Sequence, residues 1–239
     1  MPVDLWQSAT GITRNWQYLG DLQPYMLNFL ENHDEQRFAS DFFGMNASET
    51  FAPLYVSLLL NTAPFMVYFG EEVGERAMYE EGFSGCDGRT TIFDWWCVDS
   101  LVRLRKMIAT KAYMSLDVHD IINSGLTREE AEVFCRFAQV LRFAASDEAI
   151  ISGSTYDLCY CNYGSDGFDK NRHFVFLREY EDHTVLVAAN FSRTDAVMQL
   201  SIPAHAFVWL GIPQTEELNP DKKLVVTVPA HSGTTITLV

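Results

Sequence analysis

Apolar residues along this chain fall into two textures. Up to about residue 150 they come as short unbroken runs and as longer stretches with helical spacing. Beyond residue 162 they come as β-rich segments separated by turn formers. The runs "YMLNFL" (25–30) and "FMVYFG" (65–70) have strand length. Between them "FAPLYVSLLLNT" (51–62), apolar on most faces, predicts a buried helix stopped by Pro64. Strand, crossover helix and second apolar strand together predict a parallel βαβ unit covered on both faces. Residues 1–20 read as a helical lead-in, with Leu5, Trp6, Ile12 and Trp16 as core contacts.

"DSLVRLRKMIATKAY" (99–113) predicts an amphipathic helix. Thr127 and Glu130 form a Ser/Thr-x-x-Glu capping box, in which each partner satisfies an otherwise free N–H. It opens a second helix, whose Ala131, Phe134, Phe137, Ala138 and Leu141 recur at three and four. The turn-rich "NYGSDGFDKNR" (162–172) marks a boundary. After it, "HFVFLREY", "TVLVAANF", "AVMQLSI", "LVVTV" and "TTITLV" predict an antiparallel sandwich or small barrel. The expected domains are residues 1–161 and 162–239.

Composition narrows the partners. Hydrophobic residues make up 48% of the 239, enough for a substantial core. A formal net charge of −15 disfavours nucleic acid and anionic membranes and leaves a neutral or cationic ligand. No run approaches the ~20 apolar residues of a membrane span, and "MPVDLWQSAT" lacks a secretory pattern. The five cysteines, Cys86, Cys97, Cys135, Cys159 and Cys161, have no metal-ligand spacing. They read as free, mostly buried thiols, which leans toward a reducing compartment. His119, His173, His183, His205 and His231 show no metal pairing. Glu71, Glu72, Glu75, Glu80 and Glu81 lack the ligand order of a calcium loop and read as a solvated acidic loop. No cofactor or metal is expected.

Both apolar runs end in polar groups: the first in Asn32, His33, Asp34, Glu35 and Arg37, the second in Glu71, Glu72 and Glu75. Carboxyl ends of strands are where α/β sheets and barrels place ligand sites. A carboxylate beside a histidine there suits glycoside cleavage, whose oxocarbenium-like transition state an anion stabilises. The competing reading makes Asp34 a helix cap with Glu35 complementing the dipole. A metal site at His33 and Asp34 would need a third ligand, and none is evident at suitable spacing.

"FLENHDEQR" followed some thirty residues later by "APFMVYFGEEVGE" resembles the closing part of the catalytic barrel in the α-amylase family, glycoside hydrolase family 13; "GRTTIFDWW" (88–96) is similar to the loop after its eighth strand. The resemblance implies an α/β fold followed by all-β: the C-terminal segment of a (β/α)8 (TIM) barrel, then an antiparallel β-sandwich domain. It implies that Asp34 is the third catalytic carboxylate, which stabilises the transition state, and that His33 hydrogen-bonds a sugar hydroxyl. Asn32, Arg37 and Arg89 become substrate contacts, with carboxylate orientation the alternative for the two arginines, and Gly70 and Glu71 a structural motif at a strand end. Trp95 and Trp96 read as core before sugar platform.

The family's earlier motifs, with the nucleophilic aspartate and the general-acid glutamate, have no counterpart in the sequence. The expectation is therefore part of a hydrolase or transglycosylase of α-glucans, inactive alone. Its partners would be an α-glucan and either the missing part of the barrel or a second copy. The rival expectation is a non-catalytic carbohydrate-binding or structural module.

Overall fold

The structure, a computed structural model, describes residues 8–79, 86–90, 92–93 and 95–239. Leu5, Trp6, Glu80, Glu81 and the side chain of Trp95, all named above, lie outside the described residues, as do Thr91 and Asp94 of "GRTTIFDWW". In chain order the elements are α1 (Thr10–Leu19), β1 (Asn28–Phe29), α2 (Phe51–Leu59), β2 (Phe65–Met66), α3 (Asp99–Thr110), α4 (Val118–Asn123), α5 (Arg128–Ser146), α6 (Glu148–Ser152) and β3 (Ser154–Asp157). Then follow β4 (His173–Tyr180), β5 (His183–Asn190), β6 (Ala196–Ser201), α7 (Ala204–Leu210), β7 (Lys223–Val228) and β8 (Ser232–Thr237).

Two compact units interleave along the chain. One takes Met1–Asn28, Ala52–Phe65 and Ala144–Val239; the other takes Phe29–Phe51 and Met66–Phe143. The first is built on a four-stranded antiparallel sheet in the order β3-β4-β5-β8, with β6 and β7 as a separate antiparallel pair. Each of the five predicted β-rich segments forms a strand. Residues 174–177 of β4 and 185–189 of β5 are sealed on both faces, with Phe174, Phe176, Leu177, Val185 and Leu186 fully buried. Each such side chain contributes about 1.5–3 kcal/mol on leaving water.

Helices α2 and α6 meet this sheet through Arg178, whose buried guanidinium donates to the carbonyls of Leu59 (3.0 Å), Ile150 (3.0 Å) and Gly153 (2.7 Å). These are carbonyls at or just past helix ends, which have no partner within their own helix. A Cβ on Gly233 in β8 would lie 2.3 Å from Cγ of Tyr55 in α2, so only glycine permits that approach.

The predicted cut at 161/162 is corrected. β3 pairs with β4 in register, Ser154 to Glu179 through Asp157 to Phe176, so the sheet begins before the cut. Asn162 is no linker residue. It is fully buried, donating to the carbonyls of Leu158 and Ser201 and accepting from the Ser201 N–H at 2.8 Å. A turn-former composition here marks a buried polar staple, because asparagine can bond two backbones at once.

The second unit has a helical core. Val98, Leu101, Leu104 and Met107 of α3 and its approach pack with Ile121, Leu126, Ala131, Cys135 and Val73. The capping box forms as read: Glu130 N–H donates to Thr127 Oγ1 (3.2 Å), and Thr127 N–H to Glu130 Oε2 (2.9 Å). The predicted strands at 25–30 and 65–70 shrink to two residues each. Among the described residues β1 and β2 pair only with each other, and Tyr25 lies in a 3-10 helix (Gly20–Tyr25) instead. Pairing on one edge alone gives a strand little reason to extend. Antiparallel sheets are thus established, whereas a barrel is not. Cys135 and Cys159 are buried, Cys86 and Cys97 exposed, and all five cysteines are free. Among the described residues no helix is long and apolar enough to cross a membrane.

Candidate functional site

The site grows from the chain leaving β1. Leu30 and Glu31 are buried; then Asn32 Oδ1 accepts the backbone N–H of both Asp34 (2.8 Å) and Glu35 (2.9 Å). This side-chain-to-backbone turn carries His33 and Asp34 outward. His33 Nε2 stands 3.4 Å from Asp34 Oδ2, with the two side chains 59% and 77% exposed. No helix follows, so the helix-cap reading of Asp34 fails: the capping work falls to Asn32.

A second segment holds the turn in place. Arg89 Nε donates to the carbonyl of Asp34 at 2.8 Å, while its Nη1 pairs with Asp87 at 2.8 Å. Gln36 Nε2 donates to the Asp87 carbonyl, and Arg37 N–H to the Gly88 carbonyl at 2.8 Å. Gly88 sits at φ 85°, where a Cβ would come within 3.0 Å of Ser40, so the crossing requires glycine.

Beneath lies the buried support. Arg37 is fully enclosed, donating to Glu31 (2.7 Å), Thr90 Oγ1 (2.8 Å) and the Phe69 carbonyl (2.6 Å), with its guanidinium 4.4 Å from the centre of the Tyr68 ring. Glu31 completes the tie by accepting the Phe38 N–H at 2.7 Å. The expectation of Arg37 as a substrate contact is therefore corrected: its donors point into the protein and it shapes the turn from below. Arg89 also spends its donors on the protein, at least in part.

Of the acids read as a solvated loop, Glu71, Glu72 and Glu75 are described, and they turn inward. Glu71 and Glu75 are buried, and burial raises the carboxyls of Glu71, Glu72 and Glu75. Glu71 is pushed up to about 9, first by burial and then by the nearby Glu31 charge. Its Oε2 accepts the Tyr68 N–H at 3.1 Å, and its Oε1 has no hydrogen-bond partner. Counted from Gly70, the acid of a Gly-x-Glu motif is Glu72, which turns back to accept the Gly70 N–H at 2.8 Å. Gly70 itself sits at φ 90°, with a would-be Cβ 3.4 Å from an Arg37 nitrogen. Glu75 accepts from Ala77 N–H and from Ser100 Oγ. Trp96, read above as core, is 52% exposed.

The arrangement presents the exposed imidazole of His33 and the exposed carboxylate of Asp34, with exposed Glu35 next along, on a turn fixed from below by an ion pair and from the side by Arg89. Such a pair can accept hydrogen bonds from ligand hydroxyls and place negative charge beside a positive centre. Sequence reasoning missed Glu31 and Thr90. An acid inside an apolar run, six residues before an arginine, was the available signal for the first. Among the described residues no group of three His, Cys, Asp or Glu side chains is placed to hold a metal.

Residues 168–234 match the family described as Maltogenic Amylase, C-terminal domain. No curated protein matches the chain. Among solved structures the chain is similar to a debranching enzyme of Nostoc punctiforme, soaked with acarbose, at 19% identity and a TM-score of 0.53, covering 96% of this chain and 37% of that one. It is similar to AmyP in complex with maltose at 11% identity and a TM-score of 0.62, covering 98% and 47%. An α-amylase from Geobacillus thermoleovorans, complexed with acarbose, gives 14% identity and a TM-score of 0.51, covering 98% and 44%. The chain thus spans less than half the length of each. The resemblance to the α-amylase family holds: the family match falls on the β-rich region, and the solved neighbours align over nearly the whole chain.

Proposed function

We propose that this chain, with its likeness to the α-amylase family, is the C-terminal part of a glycoside hydrolase or transglycosylase acting on α-glucans such as starch, glycogen or maltodextrins. Asp34 holds hydroxyls of the sugar at the cleavage point and stabilises the charge that develops there, while His33 bonds a neighbouring hydroxyl. Asn32 and Arg89 fix the turn that presents them. A retaining mechanism needs a nucleophile and a proton donor about 5 Å apart, and the rest of the enzyme would supply both. The chain alone is then inactive. Its partners are an α-glucan and either the residues that complete the sheet beside β1 and β2 or a second copy of the chain.

The observation that carries this reading is the outward-facing His33–Asp34 pair, 3.4 Å apart on a turn with dedicated buried support. Incubation with soluble starch and measurement of reducing ends tests it. The expected result is no turnover by the chain alone. Turnover that disappears in Asp34→Ala would overturn the inactive reading and establish a complete catalytic set.

A further inference from the structure

Four aromatic rings converge on the surface of the β-rich unit. β3 contributes Tyr156, the 3-10 turn Tyr160–Asn162 contributes Tyr160, and α7 contributes His205 and Trp209. Helix α7 anchors itself by burying Ala206, Phe207 and Leu210. The same periodicity turns His205 and Trp209, four residues apart, to the outside. The Tyr156 ring lies 5.6 Å from His205, 5.8 Å from Trp209 and 6.4 Å from Tyr160, centre to centre, at interplanar angles of 47–59°. Trp209 remains 62% exposed and Tyr160 50%.

Single exposed apolar residues are ordinary on a protein surface. Here the polar tips also converge. The Tyr156 hydroxyl bonds both the Tyr160 hydroxyl and His205 Nε2, and the Tyr160 hydroxyl lies 2.7 Å from the same nitrogen. Burial and the Tyr160 bond raise Tyr156, so its phenol stays neutral. Each phenol has one proton and two lone pairs, so after bonding one another and the imidazole the two oxygens still keep unused acceptor sites. The mutual bonds hold these sites in fixed directions, which lowers the ordering cost of binding. An open indole face beside a fixed row of hydroxyls is the complement of a pyranose ring, which has one C–H face and a rim of hydroxyls. A net charge of −15 also favours an uncharged ligand over an anionic one.

We infer that Trp209, Tyr156, Tyr160 and His205 form a second α-glucan contact on the β-rich unit, separate from the His33–Asp34 turn. The choice of an α-glucan rests on the proposed function; the location rests on the cluster alone. Trp209 stacks on a glucosyl face, and Tyr160 and Tyr156 take hydroxyls at its edge. The site binds without chemistry.

Calorimetric titration with maltoheptaose tests this on the whole chain, with Trp209→Ala, Tyr160→Phe, Asp34→Ala and Val208→Ala compared against wild type. Trp209→Ala should weaken binding about tenfold or more, the loss of one desolvated aromatic contact. Tyr160→Phe should lose severalfold, Asp34→Ala should keep the Trp209-dependent binding, and Val208→Ala, on the same exposed helix face, should match wild type. Circular dichroism identical to wild type excludes misfolding of α7. Maltoheptaose affinity unchanged in Trp209→Ala overturns the inference, as does equal weakening by Val208→Ala, equal affinity for cellohexaose, or no binding by wild type. Binding lost in Asp34→Ala but intact in Trp209→Ala overturns this site while leaving the proposed function standing.

Discussion

The guanidinium of Arg37 lies 2.7 Å from the carboxylate of Glu31, and both side chains are sealed from solvent. A charge buried there without its partner is costly, because neither water nor another group can replace the lost bond. Arg37→Met should therefore cost about 3–5 kcal/mol, read from urea denaturation. Pairing it with Glu31→Leu should recover part of that loss, since the orphaned carboxylate is gone. Additive losses in the double variant would show that the two residues do not act as a pair.

Asp34 lies at the other end of the same support, its carboxylate exposed and 3.4 Å from His33 while Asn32 and Arg89 hold its backbone. Asp34→Ala should shift stability by no more than about 0.5 kcal/mol, as is usual for an exposed site. Once the chain is assembled with the residues that supply nucleophile and proton donor, the same change should lower starch turnover by at least about a hundredfold. Thermal melting and reducing-end release measure the two halves of this prediction separately.

Arg89→Met keeps the stem but removes the donor to the Asp34 carbonyl. The turn loses its lateral tie, so the expected change is a severalfold loss of turnover in the assembled enzyme. Stability should fall by about 1 kcal/mol or less, because the bonds involved are partly exposed. A larger stability loss than turnover loss would mark Arg89 as a folding residue only.

Glu71 makes stability depend on pH. Its folded value near 9 lies above the ordinary 4.5, so the folded state holds the proton more tightly than the unfolded one. Stability from this group is complete below about pH 4.5 and is lost progressively as pH rises toward 9. Glu71→Gln keeps the neutral shape without the titration. The variant should match wild type at pH 4 and exceed it by a margin that grows as pH rises to 8, the direction set by linkage. Denaturation curves at the two pH values decide it, and a variant gain that does not grow with pH would refute the assignment.

Thr127→Ala removes one half of the capping box at the start of α5, leaving the Glu130 N–H without its side-chain acceptor. A loss of about 1 kcal/mol is expected in thermal unfolding.

Local signals were the legible ones. The capping box, the spacing of α3 and the five β segments each depend on neighbours a few residues away, and each appears where the sequence placed it. The runs at 25–30 and 65–70 misled because an apolar run reports burial potential, whereas strand length depends on partners that lie elsewhere. Asn162 misled for the opposite reason. Asparagine favours turns through its bonds to backbone, and the same bonds let it be buried. In the candidate site, "NHD" was readable as a motif, but the sequence did not reveal that Asn32 shapes the turn. Nor did it show that Arg37 lies beneath it, since a guanidinium can serve a ligand or a carbonyl with the same donors. Trp209 and Tyr156 stand 53 residues apart, and only the fold joins them.

The interleaving of the two units limits how this chain can be cut or inherited. A recombination break at residue 162 would deliver β4 without β3, leaving β4 without its ladder partner from Phe176 to Glu179. It would also discard Leu59, Ile150 and Gly153, whose carbonyls receive the charge of Arg178. Segments 52–65 and 144–239 therefore have to travel together through evolution, even though some eighty residues of another unit separate them.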